Sequence, residues 1–198
     1  MIRLVSVLLL LATQTVLAGH GLMNSFGGIE WLPKADALPG SPRYVLGAWQ
    51  DDLRLRMASS PADVLTLAVA QSRQRLAAAT AATRAGTQAV VTVALDDWGK
   101  RFSRAEQVLM QLPTGEQAGA RQRLANELLE QQYIVATDYL DLPRAVRPAL
   151  QAFFEAAGER YARLRAALPA RRQQGLFFRE EEIRWARQQT TAADEQGL

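Results

Sequence analysis

The chain has 198 residues, of which 48% are hydrophobic and 22% charged, with 23 lysines and arginines against 20 aspartates and glutamates; this balance excludes collagen-like, mucin-like and strongly disordered classes and suits one domain or two small ones. There is no cysteine and a single histidine, His20, so cysteine nucleophiles, disulfide frameworks and Cys/His zinc sites are excluded. The pI of about 9.7 rests on a small excess of arginine, and no run of five like charges occurs, so no nucleic-acid partner is expected.

Met1-Ile2-Arg3 precedes an apolar run from Leu4 to Ala12, followed by a more polar stretch ending at Ala18. A positive start, a short apolar run and a small terminal residue form the layout of a secretory signal peptide. Cleavage is expected after Ala18; retention as an N-terminal anchor is the alternative. The run is shorter than the ~20 residues that span a bilayer, and no transmembrane span is expected after cleavage. Residues 19–40 carry Gly19, Gly21, Gly27, Gly28, Pro33, Pro39 and Gly40, which resist regular structure, together with Leu22, Phe26, Ile29, Trp31 and Leu32. They predict an irregular strap packed partly on the body.

From residue 41 onwards the pattern is helical, and residues 41–198 are expected to form a single helical domain. Pro39 and Gly40 make a turn, Ser41 caps and Pro42 starts a first helix that runs to about Met57. Tyr44, Leu46 or Trp49 is expected to tuck under the following helices. Ser60-Pro61 repeats the start signal for a second helix to about Arg84, with Leu65, Val69, Ser72, Leu76 and Ala79 on one face. Gly86-Thr87 suggests a stop and a new cap, although one glycine costs only ~1 kcal/mol inside a helix, so a continuous second and third helix stays open. Val91, Leu95, Trp98, Phe102, Ala105, Leu109 and Leu112 then alternate in steps of four and three, the stripe of an amphipathic helix. Pro113 ends it.

A fourth helix carries Leu124, Leu128, Val135 and Tyr139, with Leu129, Tyr133, Ala136 and Leu140 beside them. Asp141-Leu142-Pro143 is expected to open a fifth, striped by Val146, Leu150, Phe153, Ala157, Tyr161, Leu164 and Leu168. Pro148 either kinks that helix or is its true first residue. A last helix, about 171–190, holds Leu176, Phe177, Ile183 and Trp185. No convincing strand alternation occurs. The sum is an all-α protein of five or six helices in antiparallel hairpins, at about 41–112 and 114–190.

Few residues carry chemistry. His20, second in the cleaved chain, could contribute to a copper(II) site through the terminal amine, a backbone amide and its imidazole; a solvated side chain near a chain end is the plainer expectation, and no metal site or cofactor is assigned. Asp51-Asp52 and Asp96-Asp97 are adjacent pairs that point about 100° apart on a helix and make poor acid–base dyads. Glu180-Glu181-Glu182 lies among Arg179, Arg184 and Arg187, and Glu180 is spaced to pair with Arg184. Trp98 and Phe102 are expected in the core rather than as a stacking platform for a ligand. No phosphate loop, dinucleotide fingerprint, nucleophile elbow or zinc-protease motif is present, and no enzyme activity is expected.

Residues 38–53 begin Leu38-Pro39-Gly40-Ser41-Pro42-Arg43-Tyr44. This opening resembles that of a family of exported bacterial helical proteins known only as a domain of unknown function, whose members tend to start Leu-Pro-Gly-Ser followed by a tyrosine. Arg75-Leu76 and the later Leu142-Pro143-Arg144 with Arg147 are also similar. Gly47 departs from a usual lysine, and Ala78 from a common glutamate. The resemblance spans residue 37 to about 165, is specific only over its first twenty residues, and implies export and a helical fold without implying an activity. Together these observations lead to the expectation of a non-enzymatic protein of the periplasm or cell envelope that binds another protein or scaffolds, through a helical groove or an exposed stripe. Its partner would be another envelope protein or a second copy of itself. The alternative is a periplasmic stress protein that binds a small ligand or a metal.

Overall fold

A computed structural model describes residues 25–195 except Gly28 and Gly86. The signal segment, His20, Leu22 and the remainder of residues 19–24 lie outside the described residues, as do residues 196–198. The protein is all-helical, with seven α-helices, 81% of it helical and no strand among the described residues.

Helix starts follow their local chemistry. Gly40 takes φ +87°, the left-handed region that favours glycine. Ser41 then caps α1 (Pro42–Met57), its Oγ accepting from the Tyr44 amide at 3.2 Å. Ser60 caps α2 (Pro61–Arg84) in the same way through the Asp63 amide at 3.1 Å, and the Ser59 and Ser60 hydroxyls hold the exposed Asp63 carboxylate below its ordinary pKa, Ser60 most strongly.

The second and third helices are separate. α2 ends at Arg84 and α3 (Gln88–Leu109) begins after a short connection; the two make the most extensive helix pair in the molecule. Thr87 occupies the N-cap position of α3 but makes no capping bond with its side chain, so the expected cap is present in place and not in chemistry. α4 (Thr114–Asp138) follows Pro113.

Two departures concern the C-terminal half. The segment expected to open the fifth helix instead makes two 3-10 turns, Tyr139–Asp141 and Arg144–Val146, before α5 (Arg147–Ala166). Pro148 sits in the first turn of α5, where its missing N–H costs nothing, and so it does not kink the helix. The last helix is divided into α6 (Ala170–Gln174) and α7 (Phe177–Glu195), with Gly175 capping the short α6. These extra boundaries give seven helices where five or six are expected from the sequence.

α3 lies at the centre of the packing. All seven residues of its stripe are buried, and Trp98 is only 2% exposed. Its ring meets Phe153 of α5 edge-on at 4.8 Å between centroids and Phe102 at 5.9 Å. Its indole Nε1 donates to Gln131 Oε1 of α4 at 2.7 Å, which satisfies the polar end of a buried aromatic. α4 packs against both α5 and α7. On α4, Leu124, Leu128, Leu129 and Val135 are buried; in the 3-10 turn that follows, Tyr139 is buried as well, whereas Leu140, expected beside them, is exposed. Of the strap, Phe26 is buried and stacks on Tyr133 at 4.4 Å, while Trp31 is exposed.

Candidate docking surface on the first helix

α1 faces the wrong way for its own hydrophobicity. Val45, Trp49, Leu53 and Met57 recur every four residues and share one face with Leu46. They are 65%, 61%, 42%, 75% and 54% exposed respectively. Of the three residues offered for tucking under the next helices, Leu46 and Trp49 stay exposed, and Tyr44 is the one that tucks. It is the one aromatic on the opposite face, which also carries Gly47, Ala48, Asp51 and Leu55.

That opposite face is attached by polar contacts. The Tyr44 hydroxyl donates to Asp97 Oδ2 of α3 at 2.9 Å, and the Arg75 guanidinium of α2 lies 4.6 Å from the Tyr44 ring centre. Burial, reinforced by the hydrogen bond to Asp97, pushes the Tyr44 phenol up to about 12. Arg75 also pairs with the Asp51 carboxylate, and Gln71 Nε2 donates to the Asp51 carbonyl at 3.0 Å. Arg101 of α3 pairs with Asp52. Asp97 additionally takes Lys100 at 2.9 Å. Asp97 is thus a half-buried anchor for α1, whereas Asp96 is exposed.

Both acidic residues of α1 are engaged by arginines of the body, which leaves the outward side of the helix basic. Arg43, Arg54 and Arg56 are exposed, and among the described residues only Arg54 has a nearby acid, Asp51 at 3.8 Å. The result is a band of five exposed apolar side chains, including a tryptophan, with arginines at its margins. Single exposed apolar residues are ordinary, but a contiguous set on one helix face marks a contact surface.

The residues of the helix-start motif have structural roles. Pro39 is buried, Gly40 makes the turn, Ser41 caps, and Tyr44 is the pin that holds α1 on α2 and α3. Among the described residues no group of three or more His, Asp or Glu side chains could hold a metal ion. The acidic run on α7 pairs otherwise than its spacing suggests: Glu180 takes Tyr161 and Arg165 of α5, and Arg184 takes Glu181 at 2.7 Å. None of the arginines Arg73, Arg75 and Arg147 is marked as buried by the sequence pattern, yet all three are. The available signal is their place on or beside an apolar face, with a carboxylate brought to each only by the fold. No helix among the described residues is long and apolar enough to cross a membrane. No family model, curated protein or solved structure matches the chain.

Proposed function

We propose that the protein is an exported, non-enzymatic docking module of the periplasm or cell envelope, and that its contact surface is the outward face of α1. The exported location rests on the Arg3, Leu4–Ala12 and Ala18 pattern and on the resemblance of residues 38–44 to exported helical proteins. The observation that carries the docking role is the band Val45, Leu46, Trp49, Leu53 and Met57, left in water on a helix that is held to the body by its polar face. Full burial of one such side chain is worth about 1.5–3 kcal/mol. The pairings of Asp51 and Asp52 with Arg75 and Arg101 supply the attachment that this apolar face does not.

The occupant is a protein surface with an apolar centre and an acidic rim. Arg43, Arg54 and Arg56 fringe the band, and each acid of α1 is taken by an arginine of the body: half-buried Asp51 by Arg75, and Asp52, itself exposed, by Arg101. A second copy of the chain would set arginines against arginines, which disfavours self-pairing. Trp49 has the character of a hot spot, a large rigid aromatic at the centre of the band.

A photo-crosslinking residue at Leu53 of the full chain, expressed in its own cell envelope, tests this. The expected result is one heterologous adduct, identified by mass spectrometry, whose partner residues flanking the contact are acidic. It should vanish in Trp49→Asp and weaken in Arg54→Glu with Arg56→Glu, while both variants keep the parental melting temperature. Adducts only to lipid, only to a second copy, or to a partner indifferent to both variants would overturn the proposal.

A further inference from the structure

A second surface lies between α5 and α7. α5 and α7 both pack on α4 but splay apart from each other, leaving a groove of about 850 Å³ between them. That size falls within the ~300–1,000 Å³ of small-molecule sites. Leu129 of α4 and Ile183 of α7 form the floor, and Ala162 and Ala166 of α5 form one wall. Their short side chains keep the space open. One end is closed by Glu180, which accepts from the Tyr161 hydroxyl and pairs with Arg165.

Arg187 sets the polarity of this groove. It is half-buried, and its guanidinium carbon lies 5.8 Å from the ring centre of Phe154. Unlike Arg165 and Arg184, which are matched by Glu180 and Glu181, its guanidinium has no carboxylate or hydrogen-bond acceptor among the described residues. A guanidinium without an anion, against an aromatic ring in a largely apolar groove, is a receptor for a planar anion.

We propose that this groove binds a medium-chain aliphatic monocarboxylate, its carboxylate on Arg187 and its chain running over Ile183, Ala162 and Ala166 toward the closed end. Three observations select that ligand. Arg187 to Glu180 is seven residues, about 10 Å of helix, which sets the apolar reach. Arg165, Arg184, Glu180 and Glu195 also line the groove; Arg165 is taken by Glu180 and Arg184 by Glu181, so among the described residues lining the groove Arg187 is the one unmatched cation against Glu195, and a single negative charge is favoured over a phosphate. Gln132, Gln188 and Thr191 also line the groove, but Gln188 and Thr191 follow Arg187 on α7, away from Glu180; over the stretch between Arg187 and Glu180, Ala162, Ala166 and Ile183 offer peptide amides no side-chain hydrogen-bond partner, whereas a polymethylene chain has no such groups to desolvate. This site is independent of the α1 surface and stands or falls separately.

Titration calorimetry of the delipidated full chain, below the ligand's micellar range, tests the assignment with decanoate, hexanoate, decanol and decyltrimethylammonium. Decanoate should bind more tightly than hexanoate, and the cationic amphiphile should not bind. Arg187→Gln should weaken decanoate about tenfold, as expected for loss of a charge-assisted pair, and leave decanol unchanged. Ala162→Trp, which fills the groove, should abolish binding of decanoate and decanol while circular dichroism stays parental. Trp49→Asp should leave decanoate binding intact, which separates this site from the docking surface. No decanoate binding at millimolar concentration, equal binding of the cationic amphiphile, or parental binding in Ala162→Trp would each overturn the proposal.

Discussion

At the residue scale, a buried polar chain ties α2, α3 and α4 together. Arg73 Nη1 donates to both Glu127 oxygens at 2.8 and 3.0 Å, Gln131 Nε2 donates to Glu127 Oε1 at 2.7 Å, and Trp98 Nε1 donates to Gln131 Oε1. Burial raises the Glu127 carboxyl above its ordinary pKa against the pull of Arg73, as expected for a charge withdrawn from water. Trp98 joins this chain to the aromatic core. Trp98→Ala should therefore cost about 3–5 kcal/mol, through a cavity beside Phe153 and an unsatisfied Gln131 oxygen. Denaturant midpoints of variant and parent measure this; near-identical midpoints would mean that the ring is not part of the core. The burial of Trp98 is legible in its sequence stripe. The partner of its N–H is not, because Gln131 lies 33 residues away and only the crossing of α3 with α4 brings it near.

At the element scale, α1 is the least conventional part of the fold. A hydrophobic-face reading of residues 42–57 turns Val45, Trp49 and Leu53 inward, since amphipathic helices ordinarily bury their apolar side. The helix is instead turned by Tyr44 and by two carboxylates that meet arginines of α2 and α3. This attachment has a pH signature. The Tyr44 phenol keeps its proton more tightly in the folded protein than in the unfolded chain, so its contribution is complete below the ordinary tyrosine value near 10 and is lost as pH rises through about 12. In that window the phenolate would face Asp97, and amide exchange in α1 should accelerate. Tyr44→Phe should remove the Tyr44 part of that pH dependence; α1 exchange that rises equally in the variant would place the alkaline sensitivity elsewhere. At the start of the same helix, Gly40→Ala should cost about 1–2 kcal/mol. No atom lies near the position of an added Cβ, so the cost comes from the φ of +87° alone. An unchanged melting temperature would show that the turn relaxes.

At the scale of the whole molecule, the α2–α3 hairpin and the helices gathered on α4 share one core through Trp98, Phe102, Phe153 and Leu128. One cooperative transition follows: far-UV and near-UV signals should lose amplitude at the same denaturant concentration, from a spectrum dominated by helix. Two separated midpoints would divide the body into independent units. The all-α class, the start signals at Ser41 and Ser60, and the buried stripe of α3 follow from the sequence alone, because capping and helical periodicity are local properties of a few residues. The turn at Gly40 belongs with them. The outward face of α1, the pairing of Glu180 with α5 and the open groove beside Arg187 are decided only by tertiary structure. Each depends on which carboxylate meets which arginine across helices far apart in the chain, and on α1 several such contacts act together with Tyr44 to set an orientation that apolar periodicity does not specify.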